Sequence, residues 1–492
     1  MQPFEERHVW NLLESYARKN TLVSNQIESF NDFVTFGMQE IVNQEYTMAL
    51  PSYTAKFGQL PLAPPQVMEE DRSLRSSYPM DARRRDLNYD SAILCNIEET
   101  FYGDETITKT HNRIMIGRMP IMLRSCMCNL TKLTEEEILK YGECPNDPGG
   151  YFIIKGNERV LVGQMRAVYN QVFVLKQKPG GKYNFVAETR SMSDETGHSI
   201  LLQAKIGNDD RTIDFSLPYI KEPIPVGVVF KALGYDDQEI SNLIGIDNIK
   251  QASKYLKYIT RDSAFCKTKE EALTHISQFA MHIVEDKKKI DYAKQIVESE
   301  TLPHLGISGT ISEQACFLGR MVRRLIMTNI GLRSEDDRDN YANKRVECAG
   351  HLMYEIFRNL FKKYILFIKT QLEKRKQTPD IIPIISRFKD ITKGLHKCIA
   401  TGNWGVQKNA SYVRTGVSQV LDRMTYCASL SHLRRVIIPM GKEGKNTAMR
   451  QIHGSSFGYV CPCETPEGQK IGVVLNFALL ARVTRKIPKV DV

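Results

Sequence analysis

A mixed α/β (α+β) chain of more than one domain is what the sequence predicts, and three observations carry that prediction. At 492 residues the chain exceeds what one hydrophobic core holds, so about two to four domains are expected. Helix-period and strand-period apolar runs both recur along it. The tetrapeptide Asp147-Pro-Gly-Gly150 is a strong turn signal that feeds two apolar runs of strand length. The apolar share of 42% and the charged share of 25% are those of a folded chain.

Taken in order, Val9 to Val42 reads as helix, with Ser24 and Asn25 as candidate caps. Pro51 to Pro79 is proline-rich and reads as short strands and connectors. Strands are expected over Leu87–Ile97 and Ile114–Arg124. Tyr151 to Gln164 is a β-hairpin about Gly156-Asn157, with Lys155 and Arg159 near its tip. From Met165 to Asn340 the composition changes to a separate α+β domain. Strands are expected there at Val172–Leu175, Ile200–Ile206 and Thr212–Phe215, and helices near Val226–Leu233, over Ser263–Glu300 and over Ala315–Thr328. A polar crossing follows, with five charges in the six residues after Arg333. It leads into one long helix, His351 to Lys376.

The chemistry classes that the sequence excludes are informative. It has no HExxH, no G-x-x-x-x-G-K-[ST], no GxGxxG and no G-x-S-x-G. No Asp-rich cluster offers to hold a pair of Mg²⁺ ions. The Gly441-Lys-Glu-Gly444-Lys445 loop only superficially resembles a phosphate cradle. No apolar run approaches a membrane span, and the N-terminus lacks the pattern of a secretory signal. Eleven cysteines form no disulfide framework, which fits reduced thiols. Cys126, Cys128 and Cys144 leave a zinc site one ligand short, so small buried side chains are expected and no zinc.

One segment stands out in charge. Between Thr401 and Lys470 nine Lys/Arg face four acids, +5 of the whole chain's +10. Val417, Val420, Leu421 and Met424 fall at i, i+3, i+4 and i+7, which predicts a helix with Gln419, Arg423 and Tyr426 on its other face. A second short helix is expected from Leu430 to Ile437, carrying Arg434 and Arg435. The loop Gly441–Thr447 then brings Lys442 and Lys445, followed by Arg450, His453 and a strand spaced with Gly and aromatics. Glu464–Gly468 (ETPEG) is a proline-rigid turn. Arg and Gln at this density point to nucleic acid, with a bland surface patch as the alternative.

RTGVSQVLDRMTYCASLSHLRR (414–435), ATGNWG (400–405) and CPCETPEGQKIGVVLNFALLA (461–481) resemble the fork region of the second-largest subunit of multisubunit DNA-directed RNA polymerases, most of all the eukaryotic and archaeal type. GGYFIIKGNERVLVGQMR, LPYIKEPIPVGVVFKALG, DDRDNYANKRVECAG and IGRMPIMLRS resemble segments of the same family, so the likeness spans nearly the whole chain. It implies a protrusion domain (1–164 plus 341–403), an inserted lobe (165–340), a fork (404–484) and a tail (485–492) at a domain boundary. It also implies roles. Gln419 and Arg435 would lie against RNA, with Arg434, Lys442 and Lys445 as further nucleic-acid contacts. Arg450 and Glu467 would support nucleotide loading, a carboxylate holding the Arg in place.

The chain departs from the family by ending where members usually continue for hundreds of residues. The hybrid-binding half, the wall and the zinc-bearing clamp segment are not in it. What the resemblance implies is therefore a transcribing subunit that is inactive alone. Mg²⁺ would be held mainly by the largest subunit. Its partners would be that subunit, the C-terminal half of the second subunit, the remaining subunits, template DNA and nascent RNA, with no membrane. The compartment would be intracellular: a nucleus, or a cytoplasmic viral factory and virion, a large DNA virus being one source. The rival reading is a truncated, non-catalytic paralogue that serves assembly or nucleic-acid binding.

Overall fold

The computed structural model describes residues 6–44, 47–50, 53–102, 106–178, 180–194, 196–279, 286–305, 310–374, 381–405, 414–439 and 447–484. They form two compact units, Met1–Arg166 with Arg345–Val492, and Ala167–Lys344. Residues 404–484 fall within the first unit. The tail 485–492 and the residues Lys442 and Lys445 lie outside the described residues.

The first unit is built on one long helix, Ala349–Glu373. Met353, Ile356, Phe357, Leu360, Tyr364, Ile368 and Leu372, of the stripe expected from the sequence, are buried, and Phe367 is half-buried. Against it stands an antiparallel sheet of Thr47–Leu50, Tyr53–Phe57, Asp90–Phe101 and Ile107–Pro120 in that order. Phe57 joins sheet to helix, edge-on to Phe361 and to Tyr364 with ring centroids 6.0 Å apart in each pair.

The N-terminal helical reading resolves into Glu6–Lys19, Ser24–Asp32 and Met38–Gln44, the last two joined by a π-turn. Ser24 and Asn25 are not caps: Val23 holds that position without a side-chain bond. Asn25 instead donates Nδ2 to the Ala481 carbonyl and accepts from the Val483 amide, 3.1 Å each. Helix Ser24–Asp32 crosses the long helix closely enough that a Cβ on Gly350 would come 1.9 Å from the Ser29 carbonyl oxygen. Only glycine allows that approach.

The hairpin is the hub. Phe152–Ile154 pairs with Asn157–Leu161 about a turn at Lys155-Gly156, both with positive φ, one residue earlier than expected. Its outgoing strand Asn157–Leu161 also pairs with Ser418–Val420, making a three-stranded sheet. The next strand, Gly163–Ala167, pairs in parallel with Arg435–Ile437, which pairs in turn with Val474–Asn476. The basic segment is thus woven onto the hairpin through two sheets.

That weaving overturns the local helix readings. Residues 417–424 are a short strand and a loop, not a helix. Val420 is 57% and Met424 88% exposed, so the four apolar residues do not share one buried face. Pairing with the hairpin overrides the periodicity. The second helix lies earlier, Tyr426–Leu433, with the Thr425 hydroxyl accepting from the Ala428 amide at 3.0 Å as its cap. Arg434 ends it, and β-branched Val436 and Ile437 continue as strand. The strand expected after His453 is a 3₁₀ turn, Gly454–Ser456, followed by a single bridge between Val460 and Phe477.

The second unit pairs an antiparallel five-stranded sheet with helices. Its strands are Phe173–Lys176, Tyr183–Met192, Ser199–Gly207, Ile213–Ser216 and Ile224–Pro225. Helix Val226–Leu233 matches its sequence reading end to end. Helix Ile311–Asn329 opens on a capping box between Thr310 and Glu313. Strand Tyr183–Met192 and helices Asp237–Ile244 and Lys250–Asp262 went unread.

Candidate nucleic-acid interface

Gln419 and Arg435 come together around a residue that the sequence reading did not single out, His432. Only 4% of His432 is exposed. Its Nδ1 accepts the Asp422 amide at 3.1 Å, so the ring proton of the neutral form belongs on Nε2. That Nε2–H donates to Gln419 Oε1 at 3.0 Å. The Gln419 amide is thereby oriented: its nitrogen donates to the Gly416 carbonyl at 3.1 Å, with one N–H left over. Burial first, and then the nearby Arg435 charge, push the His432 pKa down to about 4 against a smaller opposing pull from Asp422. The imidazole is neutral at neutral pH, and the tautomer is fixed. Among the described residues the Arg435 guanidinium has no hydrogen-bond or ion-pair partner. His432 is 13 positions from Gln419, and no local pattern announces the pairing.

Arg434, its neighbour, is occupied. One guanidinium nitrogen donates to the Leu22 carbonyl at 2.6 Å, and the other to that of Ala478 at 2.7 Å. Weaker bonds reach Phe477 and Leu479, at 3.3 Å each. The side chain ties the helix end to two distant stretches of backbone. Arg423, expected on a phosphate-facing surface, is occupied too. It forks onto Glu158 and reaches Asp147 Oδ2 at 3.1 Å. Arg83 meets Glu158 from the other side at 2.7 Å, Glu143 at 2.7 Å and the Tyr151 hydroxyl at 2.7 Å. Burial raises the Glu158 pKa less than Arg423 and Arg83 lower it, so it stays ionised. For Glu143 burial wins, and its pKa is raised.

Arg450 bonds to the short loop that Glu467 opens. Arg450 Nη1 donates to the carbonyls of Gln469 at 2.6 Å and Ile471 at 2.9 Å. Glu467 precedes the 3₁₀ turn Gly468–Lys470 in the cap position, without a side-chain bond. Backbone carbonyls, not a carboxylate, hold Arg450, leaving its Nε and Nη2 without partners among the described residues. Gly472 sits at φ 68°, and a Cβ there would come 2.3 Å from the Arg450 carbonyl oxygen. Glu464 accepts from the Ser431 hydroxyl.

Among the described residues no three His, Cys, Asp or Glu side chains group so as to hold a metal ion, and no helix is long and apolar enough to cross a membrane. The donor set for Mg²⁺ is not found among them.

Residues 21–395 match the family model described as RNA polymerase beta subunit, and residues 419–483 match RNA polymerase Rpb2, domain 3. The chain belongs to the second-largest-subunit family of DNA-directed RNA polymerases. Family members of several kinds resemble it. It is 36% identical to the probable DNA-directed RNA polymerase II subunit RPB2 homolog of Invertebrate iridescent virus 6, over 96% of this chain and 45% of that protein. It is 36% identical to DNA-directed RNA polymerase II subunit RPB2 of Eremothecium gossypii, over 98% of this chain and 43% of that one. It is 33% identical to DNA-directed RNA polymerase subunit Rpo2N of Methanococcus vannielii, over 96% of this chain and 95% of that protein. Against the first two relatives the chain spans under half their length. All seven site residues fall in the second matched stretch, 419–483.

Proposed function

We propose that this chain works as the protrusion, lobe and fork portion of a DNA-directed RNA polymerase second subunit, with its domains divided at about 164/165, 340/341 and 403/404. The complex joins an RNA 3′-hydroxyl to the α-phosphate of a nucleoside triphosphate, releasing pyrophosphate. Mg²⁺ supplies Lewis-acid activation from sites held mainly by the largest subunit. This chain's own residues bind and orient.

The observation that carries the reading is the Gln419–His432–Arg435 cluster within the stretch matched to the family. A neutral buried imidazole holds the Gln419 amide in one orientation. Its remaining N–H and the unpartnered Arg435 donors suit the sugar hydroxyls and phosphates of an RNA strand. Arg450, with donors left over, faces the incoming nucleotide, and Glu467 supports that loop. Lys442 and Lys445 contact nucleic acid at strand separation, and Arg434 acts through position rather than contact.

Exposed Met424 (88%), Phe457 (89%) and Ile452 (69%) around the fork favour cover by other polypeptides: the largest subunit, the hybrid-binding half and the remaining subunits. The complex would work in a nucleus or in a viral factory. The experiment is affinity purification of the chain from its native source, followed by primer extension on a DNA template. Co-purification of a largest subunit with RNA synthesis supports the reading. Recovery with neither favours the non-catalytic paralogue.

A further inference from the structure

A pocket of about 710 Å³ opens in the second unit, and none of the residues assigned above lines it. Nine residues line it; four are arginines and none is acidic. Arg320, Arg323 and Arg324 stand at i, i+3 and i+4 of helix Ile311–Asn329, so three like charges share one face. Like charges at that spacing disfavour a helix. The fourth, Arg333, is paired with Asp336 at 2.5 Å, and Arg324 donates to the Val172 carbonyl at 3.0 Å. Arg320 and Arg323 are exposed and have no partner among the described residues. The fold therefore concentrates positive charge in a concavity and pairs only Arg333 of the four with a carboxylate among the described residues.

The rest of the lining says which anion fits. Leu243, Met327 and Leu332 supply an aliphatic wall, and Leu332 is 55% exposed. The lining contains no Phe, Tyr, Trp or His on which a base would stack, the usual device for holding single-stranded nucleic acid. An aliphatic wall beside unpaired guanidiniums complements carboxylates that flank an apolar side chain. We propose that this pocket docks an acidic peptide segment of a partner protein, its carboxylates on Arg320 and Arg323 and one aliphatic side chain against Leu243, Met327 and Leu332.

The test uses the full chain and a fluorescein-labelled ten-residue peptide of alternating Glu-Glu and Leu-Leu pairs, followed by fluorescence anisotropy. Two controls run beside it: the same peptide with Gln for every Glu, and a single-stranded oligothymidylate of equal charge. The double variant Arg320→Ala/Arg323→Ala changes exposed side chains only, and an unchanged thermal midpoint verifies its fold. Cys316 lines the same pocket and is exposed, so its alkylation by iodoacetamide, read by peptide mass spectrometry, reports occupancy there. The expected result is binding of the acidic peptide, at least tenfold weaker binding to the double variant, a similar loss for the Gln peptide, and slower Cys316 alkylation. Leu332→Ser should weaken the peptide and leave the oligonucleotide unaffected. The proposal is overturned if the double variant binds equally well, if the Gln peptide binds equally well, if Cys316 is not protected, or if the oligonucleotide protects it better than the peptide.

Discussion

Arg423 grips Glu158 through two bonds, Nε to Oε2 at 2.6 Å and Nη2 to Oε1 at 3.0 Å, although the residues lie 265 positions apart. Arg83 holds the same carboxylate from the other side, and Arg423 also lies over the Tyr151 ring at 4.9 Å. One acid thus fastens the loop after strand Ser418–Val420 to the hairpin.

Glu158→Gln should destabilise the first unit by about 1.5–3 kcal/mol, because two guanidiniums lose their shared charge while Arg83 keeps Glu143 and Arg423 keeps Asp147. Arg423→Ala should cost less, about 1–2 kcal/mol, since Arg83 still neutralises Glu158 and the Arg423 side chain is 40% exposed. Urea unfolding at pH 7 measures both. The folded pKa of Glu158 is lowered, so its contribution is present above its ordinary value of 4.5 and lost as pH falls through the folded value. The gap between the native chain and Glu158→Gln should therefore close in acid.

His432 predicts a second pH dependence. Its pKa falls from 6.5 to about 4 on folding. Between those values the unfolded chain binds a proton that the native chain does not, so stability rises with pH across that window. The full effect is present above 6.5 and amounts to roughly 3 kcal/mol. His432→Gln should flatten the curve of thermal midpoint against pH between 4 and 6.5. An unaltered slope would remove His432 as the titrating group.

The adjacent arginines should behave oppositely. Arg434→Ala leaves the carbonyls of Leu22 and Ala478 without their charged donor and should cost about 2–3 kcal/mol. Arg435→Ala removes no such bond and should shift stability by under about 0.5 kcal/mol. In the assembled polymerase, though, it should weaken retention of RNA as salt is raised. Denaturation of the chain and salt-challenge of a stalled complex separate the two roles.

The long helix and the excess of basic residues between Thr401 and Lys470 were legible in the sequence because their signals are local. An apolar stripe repeats along the Ala349–Glu373 helix, and nine Lys/Arg fall within the basic segment. What escaped is what depends on distant pairing. Val417 to Met424 has helix spacing, yet Ser418–Val420 is strand because Asn157–Leu161 offers it an edge. Arg423 and Arg434 read as phosphate ligands because their carboxylate and carbonyl partners lie far away in sequence. Lys231 escaped in the same way: a buried ammonium that donates to the carbonyls of Ser263 and Cys266 at 3.1 Å each. The charge of the basic segment was readable; which of its side chains the fold already occupies was not.

Arg450 divides its donors between the chain and its surroundings. One of its nitrogens braces the loop through Gln469 and Ile471, while Nε and Nη2 keep donors to offer. Arg450→Ala should therefore do two things: loosen residues 468–472 and remove a charge from the nucleotide's surroundings. Gly472→Ala isolates the first effect, because its Cβ would collide with the Arg450 carbonyl oxygen while the guanidinium remains. In an assembled complex, Arg450→Ala should lower elongation rate or fidelity without changing subunit stoichiometry. The apparent KM for nucleoside triphosphate should rise by about tenfold, the equivalent of roughly 1.4 kcal/mol of lost binding. Arg450→Lys keeps the charge but cannot brace both carbonyls and reach outward together, so it should fall between the two. If Gly472→Ala reproduces the whole defect, Arg450 acts only by holding the loop. If Arg450→Ala leaves rate, fidelity and KM unchanged, the residue has no part in nucleotide loading.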